Sequence, residues 1–230
     1  MDVEMHDLPK TPTHQTIKSQ ISDLKMVEKK FLSQTYTLET SDDTLAHYQE
    51  WAETYDQELT ENNYAQPQRC AEALTTYAPE KNIRVLDIGC GTGLSGLALQ
   101  KHDFKNIEGC DFSPLMLKKA KETNSYQRLF EADINHKLEI ETETYDAAVA
   151  VGVLSFAHVR TEAIREMLRI IKIGGLLVIG LNEKYWAEDQ VDEKLEKLSQ
   201  EGLLEILSQE YGDHLPGTGL GGWVATLKKR

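Results

Sequence analysis

The sequence has little of what cysteine-based sites and nucleic-acid surfaces require. Its 230 residues include three cysteines, Cys70, Cys90 and Cys110, and no C-x-x-C pair. An odd number of isolated cysteines indicates neither a disulfide framework nor a cysteine zinc site, and it favours a reducing, cytoplasmic setting. Basic residues are also scarce, at 25 against 38 acidic ones. Because phosphate affinity comes mainly from clustered Lys and Arg, we expect no nucleic-acid partner.

Long apolar segments and metal-binding patterns are absent as well. No apolar run reaches the ~20 residues that a membrane helix requires. The first ten residues, MDVEMHDLPK, are acidic where a secretory signal would be basic and then apolar. We therefore expect a soluble cytoplasmic protein without a membrane partner. The carboxylates show no H-E-x-x-H or similar spacing, so no metal site is predicted.

The pattern divides the chain into three parts. Residues 1–16 are polar without a period, which predicts a mobile leader. Residues 17–79 predict an N-terminal helical cap, because apolar residues recur every three or four positions from Ile17 to Phe31 and two more helical stretches follow. The first stripe either packs in the core or binds a partner. In residues 80–230, β-rich segments alternate with helical ones, which predicts βαβ units and a parallel sheet.

The last two predicted strands differ from the others. LLEILSQEY and GWVATLKKR have turn residues and no helix between them. Parallel strands need a long crossover, whereas antiparallel strands can be joined directly. This pair therefore predicts an antiparallel hairpin at the edge of the sheet.

The stretch VLDIGCGTGLSG, residues 85–96, contains two overlapping glycine patterns. From Asp87 it is D-x-G-x-G-x-G, typical of an S-adenosylmethionine loop; from Gly91 it is G-x-G-x-x-G, typical of a dinucleotide loop. A dinucleotide pattern should begin where the strand ends, but Gly91 starts too late. The Asp87 carboxylate also suits the ammonium and sulfonium of S-adenosylmethionine and would repel a pyrophosphate. We therefore favour the first pattern and predict that Gly96 is a packing glycine.

Two further acids follow the next predicted strands. Asp111 ends the second strand, where a carboxylate can accept both ribose hydroxyls of either cofactor. Asp133 follows the third strand, where it can accept the adenine amino group beside the backbone amide of Ile134. The alternative for Asp133, of equal weight, is a turn or helix-cap acid.

Five motifs in this order, VLDIGCGTG, GCDFSPLML, ADI, YDAAVAVGVL and LRIIKIGGLLVI, resemble those of the class I S-adenosylmethionine-dependent methyltransferases. YQEWAETYDQEL and VGVLSFAHV are most similar to the Williams-Beuren syndrome chromosomal region methyltransferase-like family. The resemblance implies a Rossmann-like α/β fold, with a seven-stranded, mostly parallel sheet, helices on both faces and the C-terminal hairpin. It also implies that the cofactor is converted to S-adenosylhomocysteine. The implied cofactor-binding residues are Tyr48, Trp51, Tyr55, Asp87, Gly89, Cys90, Gly91, Gly93, Leu94, Asp111, Phe112, Met116, Ala132, Asp133, Ile134 and Val151.

The catalytic and acceptor residues are less well defined. Many class I members have two histidines after the fourth strand, but Ser155 and Phe156 occupy those positions. Tyr55 and His158 remain catalytic candidates. Tyr48, Trp51 and Tyr55 share one helix face, which either covers the methyl group or packs on the sheet. The acceptor candidates follow the fourth and fifth strands, and packing is the alternative for them: Leu154, Ser155, Phe156, Asn182, Tyr185 and Trp186.

The predicted reaction is transfer of a methyl group by in-line displacement to a small or medium-sized acceptor. A Lys- or Arg-rich protein acceptor stays open because the chain is acidic. Nucleophilic chemistry at Cys90 is disfavoured because no basic partner is near it in the sequence. Two other functions remain: a non-catalytic S-adenosylmethionine-binding interaction protein, and an NAD-dependent oxidoreductase that uses the Gly91 pattern.

Overall fold

The computed structural model describes residues 55–155 and 159–230. The predicted leader, the stripe from Ile17 to Phe31 and four site candidates, Tyr48, Trp51, Phe156 and His158, lie outside the described residues, as does the side chain of Tyr55. None of the described helices has the length and apolar character that crossing a bilayer requires.

Two helices come first, and strands and helices then alternate over much of the described chain. Short 3₁₀ turns at Thr161–Ala163 and Pro216–Thr218 complete the set. In chain order the elements are α1 (Tyr55–Glu61), α2 (Gln66–Tyr77), β1 (Val85–Ile88), α3 (Leu94–Lys101), β2 (Ile107–Asp111), α4 (Pro114–Glu122), β3 (Arg128–Glu131), β4 (Tyr145–Val151), α5 (Ile164–Ile170), β5 (Ile171–Asn182), α6 (Glu183–Glu188), α7 (Val191–Gln200), β6 (Leu204–Leu215) and β7 (Leu220–Lys229).

The described strands form one seven-stranded sheet in the order β3-β2-β1-β4-β5-β7-β6. The first five are parallel to one another, whereas β7 runs antiparallel to both β5 and β6. The predicted mostly parallel sheet and the C-terminal hairpin are confirmed. The hairpin is longer than predicted, because β6 continues to Leu215 and β7 begins at Leu220.

Apolar clusters cover both faces of the sheet. Every residue of β1 is buried, as expected for a strand enclosed on both faces. On one face α2 and α3 contribute Leu74 and Leu99 to a cluster with Val178 of β5. On the other face, residues from α5, α6 and α7 pack together with Ile179. The sheet is therefore a central layer between helices.

The helix α2 lies directly on the sheet. A Cβ atom added at Gly180 of β5 would lie 2.6 Å from the Sγ atom of Cys70 in α2. Gln66, at the start of α2, donates hydrogen bonds from Nε2 to the backbone oxygens of Leu181 and Trp223. Contacts of this kind hold α2 against β5 and β7. The domain boundary near residue 80 stays a prediction.

Parallel pairing brings the carboxyl ends of β1, β2 and β4 to one edge of the sheet. The register pairs Ile88 with Cys110 and with Ala150. The loops that leave these strands therefore meet at one edge, where open α/β folds bind ligands.

Candidate functional site

A cleft of about 630 Å³ opens at this edge of the sheet. Nine of the predicted cofactor residues line it: Gly89, Gly91, Asp111, Phe112, Met116, Ala132, Asp133, Ile134 and Val151. The loops after β1, β2, β3 and β4 all contribute, so the sequence motifs converge on one site. Five lining residues were not predicted: Ile88, Cys110, Gly152, Val153 and Val159.

The glycine loop between β1 and α3 brings backbone to the cleft. Gly89, Gly91 and Gly93 have φ angles of +64°, +52° and +98°, a region that side chains disfavour. A Cβ at Gly89 would lie 2.5 Å from a methyl carbon of Val153. At Gly91 no atom lies within 4 Å of that position. Glycine is thus required at Gly89 by both space and φ, and at Gly91 by φ alone.

Asp111, at the end of β2, holds the glycine loop. Its Oδ2 accepts a 2.9 Å hydrogen bond from the Gly91 amide, and its Oδ1 accepts one of 2.9 Å from the Ser113 amide. The side chain is only 7% exposed. Burial raises the pKa of this carboxyl, and the backbone donors oppose the increase. Each carboxylate oxygen can accept a second hydrogen bond, so the predicted ribose contact is compatible with these bonds.

Asp133 makes the turn that was predicted as its alternative role. Its Oδ1 accepts hydrogen bonds of 2.9 Å from the backbone N and from Nδ2 of Asn135. Its Oδ2 lies 3.6 Å from Nε2 of His136. Asp133 also lines the cleft next to Ile134. The turn orients the carboxylate, and Oδ2 retains capacity for a donor in the cleft.

Asp87 lies beneath the glycine loop and does not line the cleft. Its side chain is fully buried, and Oδ2 accepts hydrogen bonds from the hydroxyls of Ser95 and Tyr126. Its Oδ1 has no hydrogen-bond partner within the part of the chain that the structure describes. Burial raises the pKa of Asp87 to about 7, although the two hydroxyl donors lower it. The predicted contact with the methionine part of the cofactor therefore stays a prediction.

The remaining members of the predicted loop set, Cys90, Gly93 and Leu94, do not line the cleft. Burial, together with the nearby carboxylates of Asp87 and Asp111, raises the pKa of the Cys90 thiol far above its ordinary value. A thiol that stays protonated is a poor nucleophile. This agrees with the expectation that Cys90 has no nucleophilic role.

Tyr126, which the sequence analysis missed, explains the second glycine pattern. A Cβ at Gly96 would lie 2.3 Å from Cζ of Tyr126. Gly96 is therefore a packing glycine, as predicted. The available signal was indirect: a glycine inside α3 reduces helix propensity and so needs a reason in packing or function.

Four of the acceptor candidates make packing or capping contacts, as in the predicted alternative, and their acceptor role stays a prediction. Leu154 is 1% exposed within the core. Tyr185 is buried and donates a 2.9 Å hydrogen bond to Asp189. Trp186 stacks on Trp223 of β7 with ring centroids 5.2 Å apart. Asn182 caps α6 by accepting a hydrogen bond from the Tyr185 amide. Tyr185 and Trp186 pack because α6 begins directly after β5 and turns its aromatic residues toward the core.

The side chain of Tyr64 borders the cleft at Gly152, directly after β4. A Cβ at Gly152 would lie 2.8 Å from the hydroxyl oxygen of Tyr64, in the loop between α1 and α2. The Tyr64 ring packs edge-on against His214 at a centroid distance of 5.2 Å. Ser155 is half-buried, and its amide donates to the Val159 carbonyl. Tyr64 therefore borders the cleft at Gly152, and the predicted acceptor contact of Ser155 stays a prediction.

Within residues 55–155 and 159–230, no group of three or more His, Cys, Asp or Glu side chains could hold a metal ion. The polar groups at the cleft are instead single carboxylates and backbone amides. Such groups recognise hydroxyl, amine and cationic groups of an organic ligand.

The comparisons with known proteins agree with this geometry. Residues 86–179 match the family model described as a methyltransferase domain. The human Methyltransferase-like protein 27 is 34% identical over 135 residues, which are 56% of this chain and 54% of that protein. A rice 2-methyl-6-phytyl-1,4-hydroquinone methyltransferase is 31% identical over 45% of this chain and 33% of that protein. The chain thus spans about half, or less, of the length of these curated relatives.

Solved structures show the same fold. An S-adenosylmethionine-dependent methyltransferase from Methanococcus maripaludis matches with a TM-score of 0.53 and 24% identity, over 71% of this chain and 84% of that one. One from Thermotoga maritima matches with a TM-score of 0.58 and 16% identity, over 80% of this chain and 98% of that one. The fold, the domain match and the relatives together support S-adenosylmethionine as the cofactor. Residues 86–179 therefore match a methyltransferase domain, and the chain has the Rossmann-like fold of these solved S-adenosylmethionine-dependent methyltransferases.

Proposed function

We propose that the protein binds S-adenosylmethionine in this cleft and transfers its methyl group to a small or medium-sized acceptor by in-line displacement. The observation that carries the proposal is the convergence of the glycine loop, Asp111 and Asp133 on one cleft. The Gly91 amide bound to Asp111 places the loop beside the end of β2. A sulfonium cofactor needs a close backbone approach and carboxylates, and both are present.

The residues fit the parts of this cofactor. Asp111 is assigned to the ribose hydroxyls, and Oδ2 of Asp133 with the Ile134 amide to the adenine edge. The apolar side chains of Met116 and Phe112 line the same cleft and are assigned to the adenine ring. The glycine loop is assigned to the methionine part, with the Asp87 carboxylate beneath it.

S-adenosylmethionine supplies an activated methyl group on a sulfonium that is itself a good leaving group. The work left to the chain is orientation, which can supply effective molarities of about 10⁵ M or more. The described loops at the cleft are held by backbone hydrogen bonds to Asp111 and Asp133. An acceptor that arrives protonated needs a base, and we keep Tyr55 and His158 as candidates for it.

The relatives favour a small acceptor and keep a protein acceptor as the alternative. Two curated relatives from rice and one from spinach are named for methylating a phytyl hydroquinone. Ribosomal protein L11 methyltransferases from Staphylococcus aureus match over 70% of this chain at 25% identity. A Haloferax volcanii methyltransferase of similar fold was solved in complex with the activator Trm112.

The narrower family and the setting belong to the same proposal. Methyltransferase-like protein 27 is a member of the Williams-Beuren region family, which supports placing this chain there. The three cysteines are free thiols, which is consistent with a reducing cytoplasm.

A second candidate function is cofactor binding without methyl transfer. A solved neighbour of 22% identity and TM-score 0.55, covering 70% of this chain and 80% of that one, is the cyclase SpnF. Fold does not determine function, so turnover has to be measured.

The test is release of S-adenosylhomocysteine from methyl-labelled S-adenosylmethionine with a panel of acceptors. The panel contains hydroquinones, phenols, amines and ribosomal protein L11. We expect label in at least one small acceptor, and loss of that label in Asp111→Asn. Asp192→Asn, on the exposed face of α7, is the matched control and should keep it. Saturable cofactor binding without turnover on any acceptor would favour the second function.

A further inference from the structure

Tyr126 lies outside the cleft, yet it contacts both ends of the loop that forms it. The residue follows α4 and precedes β3, and its side chain passes under the glycine loop. Tyr126 does not line the cleft.

The ring occupies a slot that only glycines leave open. A Cβ at Gly96 would lie 2.3 Å from the ring, one at Gly109 would lie 2.9 Å away, and one at Gly93 would lie 3.2 Å away. Real Cβ atoms essentially never approach another atom as closely as the first two distances. The three glycines, in the loop, in α3 and in β2, therefore leave the space that the Tyr126 ring occupies.

The hydroxyl bridges the two ends of the glycine loop. It donates a 2.7 Å hydrogen bond to Oδ2 of Asp87 in β1. It accepts a 3.1 Å hydrogen bond from the Gly96 amide in the first turn of α3. The N-cap of α3 is Gly93, which has no side chain to cap these amides. A first-turn amide without a cap needs another acceptor, and Tyr126 supplies it.

Resting on the proposed function, we propose that Tyr126 is a positioning residue for the cofactor: its hydroxyl fixes the buried Asp87 carboxylate and the first turn of α3, so that the loop between them keeps its cofactor-binding shape. Tyr126 acts through Asp87 and Gly96 and does not touch the cofactor. The ionised Asp87 carboxylate is the form that attracts the sulfonium and ammonium groups.

The hydroxyl also controls the charge of Asp87. Burial raises the pKa of Asp87 to about 7, and the donors Ser95 and Tyr126 oppose that increase. Removing the Tyr126 donor therefore raises the pKa further. Around this carboxyl, the other titratable groups of the described elements are the Asp111 carboxyl, which raises the pKa, and the thiols of Cys70, Cys90 and Cys110, which burial keeps protonated.

The test is the pH dependence of S-adenosylhomocysteine and S-adenosylmethionine binding to the full chain, from pH 5.5 to 9, in Tyr126→Phe. We expect the affinity for S-adenosylmethionine to rise with pH through the Asp87 titration in the wild type. In Tyr126→Phe the midpoint should move up by about one pH unit, because one hydrogen bond to a charged group has about that effect. The affinity at pH 7 should then fall about fivefold, since the ionised fraction of Asp87 drops from about one half to about one tenth.

Tyr145→Phe is the matched control. Its buried hydroxyl also donates to a carboxylate, Glu108, but at the amino end of β4 and away from the loop. We expect it to lower the thermal stability and leave the midpoint unchanged. Ser95→Ala, which removes the other donor to Asp87, should move the midpoint in the same direction as Tyr126→Phe.

A readout without cofactor separates the failure of this proposal from failure of the proposed function. Carbon-13 NMR of the Asp87 carboxyl in the cofactor-free protein should show the same upward shift in Tyr126→Phe. An unchanged carboxyl titration overturns the role of Tyr126, whether or not the cofactor binds. The carboxyl titration could instead shift in Tyr126→Phe while the wild-type protein binds neither adenosyl compound. That result would keep the contact between the hydroxyl and Asp87, but it would overturn both the role of Tyr126 in cofactor binding and the proposed function.

Discussion

The loops after β2 and β3 and the segments after β4 and β5 lie at the same edge of the sheet, but they present different chemistry. After β2 and β3, Asp111 and Asp133 are held by backbone hydrogen bonds and line the cleft. After β5, Trp186 and Tyr185 turn into the core. The proposed cofactor side consists of loops that directly follow strands, whereas the segment after β5, on the proposed acceptor side, packs against the distant strand β7.

The first and largest effect concerns the packing of α6 on β7. Trp186→Ala removes a ring that stacks on Trp223, and we expect the free energy of unfolding to fall by about 3–5 kcal/mol, as for other buried tryptophans. Chemical denaturation measures this loss. Cofactor affinity, measured where the variant is folded, should stay within about twofold of wild type. A large loss of affinity would show that the two sides are one unit and break the comparison.

A second, intermediate effect concerns the cofactor side. Asp111→Ala removes the proposed ribose contact and the acceptors for the Gly91 and Ser113 amides, so we expect cofactor binding to weaken by about 2–3 kcal/mol. Titration calorimetry with S-adenosylhomocysteine measures it. Unchanged affinity would refute the assignment of Asp111 to the ribose.

A third effect is the pH dependence of stability without cofactor. The folded pKa of Asp87 is about 7, above its ordinary value, so the folded state keeps a proton that the unfolded state has lost. Stability from this group should therefore fall as the pH rises from about 4 to 7. His214 acts in the opposite sense, because burial lowers its pKa to about 4, so stability from it rises with pH up to about 6.5.

The difference between wild type and Asp87→Asn isolates the carboxyl, since both proteins contain His214. We expect the free energy of unfolding of the wild type, relative to that of this variant, to decrease as the pH rises from about 4 to 7 in denaturant titrations. A flat difference would show that the pKa of Asp87 is not raised.

The smallest effect sharpens the acceptor side. Tyr64→Phe removes a hydroxyl that borders Gly152, and we expect the cofactor affinity to change by less than about 0.5 kcal/mol, as for a side chain away from the cofactor. The KM for the acceptor found in the panel should rise, and steady-state kinetics measures it. An unaltered KM together with weakened cofactor binding would move Tyr64 to the cofactor side.

The same comparison explains what the sequence could predict. Asp111 ends a strand and Asp133 follows one, so strand order and spacing were enough to place both at the cleft, although the contact of Asp111 with the Gly91 amide spans 20 positions. Trp186 follows a strand too, but its partner Trp223 lies on β7, and no local pattern shows that pairing. Tyr126 was missed for a similar reason, because its contacts to Asp87 and Gly96 span 39 and 30 positions.

The measurement that tests the central claim most directly is calorimetric titration of the wild-type protein with S-adenosylmethionine, S-adenosylhomocysteine and NADH, side by side. The account predicts saturable binding of both adenosyl compounds and none of NADH. Binding of NADH alone would contradict it, because the dinucleotide pattern from Gly91 would then be the functional one.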